Sequence, residues 1–327
     1  MECFITQPVH EATIAFLNSH GVKTRYATKP DMQTVIQEIG TADAVITRDL
    51  GFDKQAIQAA PNLRIICCHG AGTNRIDVNA AYERGVLVTN TPGANSQSVA
   101  ELTVGLMLAS ARRICEADHA VREGRWSFRY AAQGLELHGK TLGLIGFGAI
   151  AQKVATIAGK GLGMRLISWS PSVPAAVFAE HGVEQALYLE ELLENADVVS
   201  VHRSGKPTDN PLIQASTLAL MRPHAILINV GRGFAVNSDD LAHALQEKRL
   251  HGAALDVFQQ EPPPTDTPLL QAPSLILTPH LGGTTQEALQ RLALICAHQV
   301  LDALLGKKPD HLVLPPEYPQ PQPGVRQ

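Results

Sequence analysis

The chain has 327 residues, 45% of them hydrophobic, and its 27 basic and 31 acidic residues leave a formal charge of −4. That length exceeds what one hydrophobic core usually organises, so two domains, or one domain split by an insertion, are expected. The dispersed charge offers no basic stripe to follow nucleic-acid phosphates, no segment approaches the ~20 apolar residues of a membrane span, and residues 1–20 lack the layout of a secretory signal, so a cytoplasmic protein is expected.

In the first third, short apolar runs at residues 3–6, 22–26, 44–47, 64–68 and 86–89 read as strands, with helical patterns between them. Such alternation implies a parallel sheet covered on both faces. The turn cluster Asn90-Thr91-Pro92-Gly93-Ala94-Asn95 breaks the series. Val99, Leu102, Leu106 and Ala109 then recur at helical spacing behind a Ser or Asn cap. A second alternating series has strands at residues 141–145, 164–169, 197–201, 225–229, 252–255 and 275–277, a mononucleotide-binding series complete in itself. After His280 a last helix carries Leu289, Leu292, Cys296 and Val300 on one side, and the Pro-rich end from Pro315 is expected to be extended or disordered. No short-period repeat is present.

The simplest arrangement inserts the second series into the first, with the two long helices crossing the gap. The fold class is then α/β, two doubly wound parallel-sheet domains with a ligand cleft between them. One domain comprises residues 1–97 plus 287–327 and the other residues 98–286. Cys3, Cys67, Cys68, Cys115 and Cys296 are odd in number and lack metal-ligand spacing, so they read as reduced, mostly buried thiols, and no metal site is expected.

The segment Leu142-Gly143-Leu144-Ile145-Gly146-Phe147-Gly148-Ala149-Ile150-Ala151 is an apolar strand ending in G-x-G-x-x-A and opening a helix. In this motif Gly146 permits the tight turn, Gly148 lets the backbone approach a pyrophosphate, and small Ala151 lets helix and strand pack closely. Glycines also occur wherever a strand turns sharply into a helix, but the flanking strand and helix supply the context that dinucleotide binding needs. The following strand should end in an acid for the adenosine ribose; here it ends Ser168-Trp169-Ser170-Pro171-Ser172. The missing carboxylate removes repulsion against a 2′-phosphate, yet no Arg or Lys adjoins it in sequence, so the cofactor is expected to be NAD or NADP.

Four stretches stand out: Val88-Thr89-Asn90-Thr91-Pro92-Gly93 leading to Val99-Ala100-Glu101; the glycine loop; Asn229-Val230-Gly231-Arg232-Gly233; and Leu255-Asp256-Val257-Phe258 running to Glu261-Pro262, with Thr278-Pro279-His280-Leu281-Gly282-Gly283 behind. Together they resemble the D-isomer-specific 2-hydroxyacid dehydrogenase family, which includes glyoxylate/hydroxypyruvate reductases. The resemblance implies a flavodoxin-like substrate domain, a Rossmann cofactor domain, and a catalytic set that falls on Arg232, Glu261 and His280. A guanidinium gives paired donors to a 2-keto acid's oxygens. Histidine can supply and recover the proton of the reduced carbonyl, and a carboxylate on its other ring nitrogen should favour imidazolium and raise its pKa.

The resemblance also implies cofactor contacts at Gly146, Gly148, Ala149, Ile150, Ser170, His202, Val230, Gly231, Asp256 and Gly282, with Ser96 close by. Asp256 would face the nicotinamide carboxamide. Substrate-carboxylate amides are implied at Ala71 and Gly72 of the loop His69-Gly70-Ala71-Gly72, alongside Arg232. His202 is followed by Arg203-Ser204-Gly205 rather than the family's usual small residue and proline. Arg75 could read an acidic substrate tail or form a surface salt bridge.

Plainer readings exist for each catalytic residue alone: a surface Arg, a loop Glu, a helix-capping His. All three, however, follow the ends of successive expected strands, where open α/β sheets place ligands. The reading is therefore a D-specific oxidoreductase moving hydride between NAD(P)H and a small 2-keto or 2-hydroxy acid. Glyoxylate or hydroxypyruvate is favoured because no regulatory domain is appended. The alternatives are a dinucleotide-sensing, corepressor-like protein, or a dehydrogenase of another small donor such as phosphite. A homodimer through the cofactor lobe and the helix of residues 96–115 is what the family suggests.

Overall fold

The computed structural model describes residues 1–205 and 209–315; the expectation for the Pro-rich end concerns residues 316–327, which lie outside the described residues. The chain divides into two compact units, Met1–Asn95 with Thr284–Gln327, and Ser96–Gly283. Among the described residues no helix is long and apolar enough to cross a membrane.

In the first unit β1 (Glu2–Ile5), β2 (Lys23–Tyr26), β3 (Ala44–Thr47), β4 (Ile65–Cys68) and β5 (Leu87–Thr89) form a parallel sheet in the order β2-β1-β3-β4-β5. This is the flavodoxin-like order, which reverses direction between β1 and β3. The period of two along each strand sorts its side chains onto two faces. Phe4, Val45, Ile66 and Val88 pack with Val35, Ile57 and Ala81 of three short helices. Cys3, Ile5, Ile46, Ile65 and Cys67 face Leu17 together with Cys296, Ala297 and Val300 of helix Gln286–Leu304. Fully burying a side chain such as Phe4 or Ile46 stabilises the unit by roughly 1.5–3 kcal/mol. Asp31, Asp53 and Asp77 cap the short helices by accepting hydrogen bonds from Thr34, Ala56 and Ala80 amides, each worth about 1 kcal/mol.

The second unit holds β6 (Thr141–Ile145), β7 (Arg165–Trp169), β8 (Glu184–Gln185), β9 (Val198–Val201), β10 (Ile226–Asn229), β11 (Gly252–Leu255) and β12 (Leu275–Leu277) in the order β12-β11-β10-β9-β6-β7-β8, all parallel. This is a Rossmann order with its switch point between β6 and β9. The two-residue strand β8 was not expected, because Glu184 and Gln185 present no apolar run. On one face Leu142, Leu144, Ile226 and Ile228 meet helix Ser96–Ala111 and helix Ala149–Thr156; on the other, Val199, Leu227 and Leu255 meet Leu192, Leu193 and Leu241. Gly143 is required by packing, since a Cβ there would stand 2.6 Å from Leu192 Cδ2. Helix Ser96–Ala111 turns Val99, Ala100, Val104, Leu106 and Met107 into this core.

Candidate functional site

Open α/β sheets carry their chemistry on the loops after the strands. At the switch point of the second sheet, Gly146 has φ +92, and a Cβ there would stand 3.2 Å from the His202 carbonyl. Only glycine meets both demands without strain. Two residues on, a Cβ on Gly148 would find nothing within 4 Å, and Gly148 caps helix Ala149–Thr156. Gly148 and Ala149 are exposed, and the first amides of any helix lie outside its own ladder at its positive end. Ile150 packs partly into the core, and fully buried Ala151 sets the close helix contact. This exposed cradle of amides has the shape and polarity to hold a pyrophosphate.

Beside it, His202 Nε2 lies 2.9 Å from Ser200 Oγ, while its buried Nδ1 has no partner among the described residues. Burial pulls its pKa down to about 3, so the ring is neutral. Trp169 ends β7, followed by half-buried Ser170 and exposed Ser172. The sequence places no basic residue next to this strand end, but the fold does: the Arg203 guanidinium carbon lies 5.3 Å from the centre of the Trp169 ring. Linear sequence hid this because Arg203 follows β9, two strands from β7 in the sheet.

Arg232, Glu261 and His280 come from the loops after β10, β11 and β12 of this unit. The loop after β10 is held by Asn229, whose side-chain oxygen accepts from Gly231 N–H at 3.1 Å and whose amide donates to the Arg232 carbonyl at 3.0 Å. Val230 is buried, and Gly231 is packed, with a Cβ there falling 3.0 Å from the Arg203 carbonyl. Arg232 adopts extended backbone (φ −139) ahead of a 3-10 turn, and one guanidinium nitrogen donates to the Gly231 carbonyl at 2.8 Å. The opposite side of Gly233 is pressed on Phe258, whose carbonyl carbon would lie 1.9 Å from a Cβ.

His280 Nδ1 and Glu261 Oε2 are 3.1 Å apart, and Glu261 Oε1 accepts from the Phe258 amide at 3.1 Å. Glu261 is the more enclosed partner, with its side chain 24% exposed against 48% for His280. His280 itself sits in the left-handed region at φ 53. Its amide is held by carbonyls of Asp256 and Thr278, both at 3.0 Å. Asp256 is 1% exposed and binds the rest of that loop: it accepts from Thr278 Oγ1 at 2.6 Å and from the amides of Leu281 at 2.7 Å and Gly282 at 2.8 Å. These bonds make Asp256 a buried carboxylate that fixes the segment bearing His280. Asn229 and Thr278 belong to the same scaffold and were missed. The signal was a hydrogen-bonding side chain at the end of an otherwise apolar strand.

In the first unit the loop after β4 carries Ala71 and Gly72, both exposed. Their carbonyls are tied down, by Asn90 Nδ2 at 2.7 Å and Cys68 Sγ at 3.2 Å, whereas their N–H groups donate to no described residue. Such outward amides can receive a carboxylate. His69 at the start of the loop is buried, and desolvation lowers its pKa to about 4. Arg75, read from sequence as a possible contact for an acidic tail, donates to the Asp49 carbonyl at 2.7 Å. Its backbone crowds Gly51, which has φ +78. Arg75 is therefore a brace for the loop after β3.

Residues 104–282 match the family model described as D-isomer specific 2-hydroxyacid dehydrogenase, NAD binding domain. The chain is 38% identical to a D-3-phosphoglycerate dehydrogenase of Methanocaldococcus jannaschii over 99% of its own length and 61% of that protein's, so it spans about three fifths of that relative. It is also 38% identical to a glyoxylate reductase of Aeropyrum pernix, over 95% of each chain. Among solved structures, it is similar to an NADPH-dependent glyoxylate/hydroxypyruvate reductase of Sinorhizobium meliloti in complex with citrate, at 25% identity and a TM-score of 0.83, covering 95% of this chain and 97% of that one. By the span of the family model and the near full-length match to a reductase, the chain belongs to the D-isomer specific 2-hydroxyacid dehydrogenase family.

Proposed function

We propose that the protein reduces a small 2-keto acid to the D-2-hydroxy acid with NADH or NADPH, and catalyses the reverse oxidation. The observation that carries this is the His280–Glu261 pair, 3.1 Å apart, on loops next to the one bearing Arg232 in a single Rossmann sheet. The loop from Gly146 through Ile150 would hold the dinucleotide, which supplies the hydride when bound.

Reduction of a carbonyl leaves negative charge on its oxygen, and Arg232 offers a permanent cation to the carboxylate and that oxygen. With Glu261 on Nδ1 of His280, the proton for the nascent alkoxide would pass from Nε2. In the oxidative direction the same nitrogen takes the hydroxyl proton. Glu261 holds the ring in that orientation and compensates the imidazolium.

Glyoxylate or hydroxypyruvate is favoured by the match to a glyoxylate reductase along almost the full length of both chains and by the engagement of Arg75 with a backbone carbonyl, which leaves it braced against the fold. We also propose a homodimer. The helix Ser96–Ala111 turns its apolar face inward, and the exposed Ile114, Val121, Trp126 and Tyr130 that follow it in the cofactor lobe support this reading. The test of function is oxidation of NADH and NADPH, read near 340 nm, with glyoxylate, hydroxypyruvate and 3-phosphohydroxypyruvate. Turnover is expected with the first two, and R232A should lower kcat/KM by at least about a hundredfold. A flat trace for every acid with both cofactors refutes the reading.

A further inference from the structure

We infer that Arg203, seated on Trp169, is the receptor for a 2′-phosphate and makes the protein prefer the phosphorylated dinucleotide, NADPH. This rests on the dinucleotide-binding reading above and goes beyond it, because the glycine loop serves both coenzymes alike.

In a Rossmann sheet the side chain after the second strand meets the adenosine ribose, and a carboxylate there binds the free 2′-hydroxyl and repels a phosphate. Here that strand is β7, and the residues after Trp169 are Ser170, Pro171 and Ser172, with hydroxyls and no acid. Arg203 reaches the same place from the far side of β6. It follows β9, its amide nitrogen is 3.3 Å from where a Gly146 Cβ would stand, and its guanidinium lies 5.3 Å from the Trp169 ring centre. The guanidinium therefore reaches across the turn of the glycine loop to the ribose end of the sheet.

Three further features suit a phosphate. Arg203 is exposed and makes no ion pair with a described residue. The aromatic ring holds the guanidinium by a cation–π contact, so little side-chain freedom remains to be lost when an anion is bound. Ser170 and Ser172, in the segment after β7, bring neutral hydroxyl donors where an acid would repel the anion.

The test uses the intact protein and compares Kd values of NADPH and NADH by isothermal titration calorimetry. The pair 2′,5′-ADP and 5′-ADP then isolates the phosphate from the nicotinamide. The expected result is at least tenfold tighter binding of the 2′-phosphorylated member of each pair, with the advantage shrinking as salt is raised. R203A should bring the ratio close to one, R203K should keep part of it, and S170D should bring it below one. Circular dichroism melts establish that each variant is folded, and R203K carries the test should R203A fail to fold. Equal or tighter binding of NADH by the unaltered protein overturns the inference alone. So does an R203A variant that weakens both dinucleotides equally, which would make the arginine an adenine platform. Binding of neither dinucleotide overturns the inference together with the reading beneath it.

Discussion

Replacing Asp256 by Asn tests whether the His280 loop is held as described. The substitution preserves shape and removes one charge. In the native protein one carboxylate oxygen accepts from Thr278 Oγ1 at 2.6 Å and Leu281 N–H at 2.7 Å, and the other accepts from Gly282 N–H at 2.8 Å, at a residue only 1% exposed. An amide can keep the first oxygen's two bonds, but its NH2 must then face the Gly282 N–H, donor against donor. A buried donor left unsatisfied costs about 1–3 kcal/mol, and the two surviving bonds lose the charge that strengthened them. The expected destabilisation is about 2–4 kcal/mol, which for a unit of this size lowers Tm by roughly 5–15 °C. Urea unfolding gives the stability, and hydrogen exchange read on peptides covering residues 278–283 should show faster exchange at Leu281 and Gly282 than in the native protein. A change below about 0.5 kcal/mol with unaltered exchange would mean that Asp256 does not hold this loop, and the argument would fail.

Other expectations follow from the same geometry. E261Q keeps a hydrogen bond to His280 but removes the negative charge, so kcat should fall about 10²–10³-fold with KM changed much less; an unchanged kcat would detach Glu261 from proton transfer. G146A places a side chain at φ +92 within 3.2 Å of the His202 backbone, which should cost about 1–2 kcal/mol in strain and weaken dinucleotide binding at least tenfold by calorimetry; native affinity would contradict the tight-turn assignment. His69, held to about 4, and His202, to about 3, are neutral in the fold but take up protons below about pH 6.5 when unfolded. The unfolded chain then binds more protons, so stability is full above pH 6.5 and falls toward pH 4, by at most about 1.4 kcal/mol per pH unit for each ring. H69Q and H202Q should each flatten that slope in urea titrations at pH 7.5 and 5.5, and a slope unchanged by both would show the loss to arise elsewhere.

The sheets were legible because they are buried on both sides. Runs such as Ala44–Thr47 and Ile226–Asn229 are apolar at every position or nearly so, and the change from period two to helical spacing marks each crossover. The polar pair Glu184–Gln185 left no such trace, since at the edge of a sheet one neighbour suffices to order a strand. For the candidate site, glycine chemistry and strand-end positions pointed to the loops that the fold builds around Gly146, Arg232, Glu261 and His280. What sequence could not show was which side chains serve the loops themselves. The three donors that tie Asp256 to the His280 loop, and the Asp49 carbonyl that holds the Arg75 guanidinium, lie far from them in sequence or carry no sequence pattern of their own. Arg203 was invisible for a similar reason: it comes to Trp169 through sheet order, across 34 residues of chain, as position 203 minus position 169.

Direct hydride delivery to the 2-carbon of a keto acid, with the proton supplied by the His280 that pairs with Glu261, is tested most directly by isotope transfer. Hydroxypyruvate is reduced with NADH and with NADPH carrying deuterium at the transferable ring position, and the glycerate formed is resolved by chiral chromatography with mass detection. The account predicts the D-enantiomer with deuterium on its 2-carbon, and loss of product with R232A. L-Glycerate, or a product with no deuterium at that carbon, would contradict it.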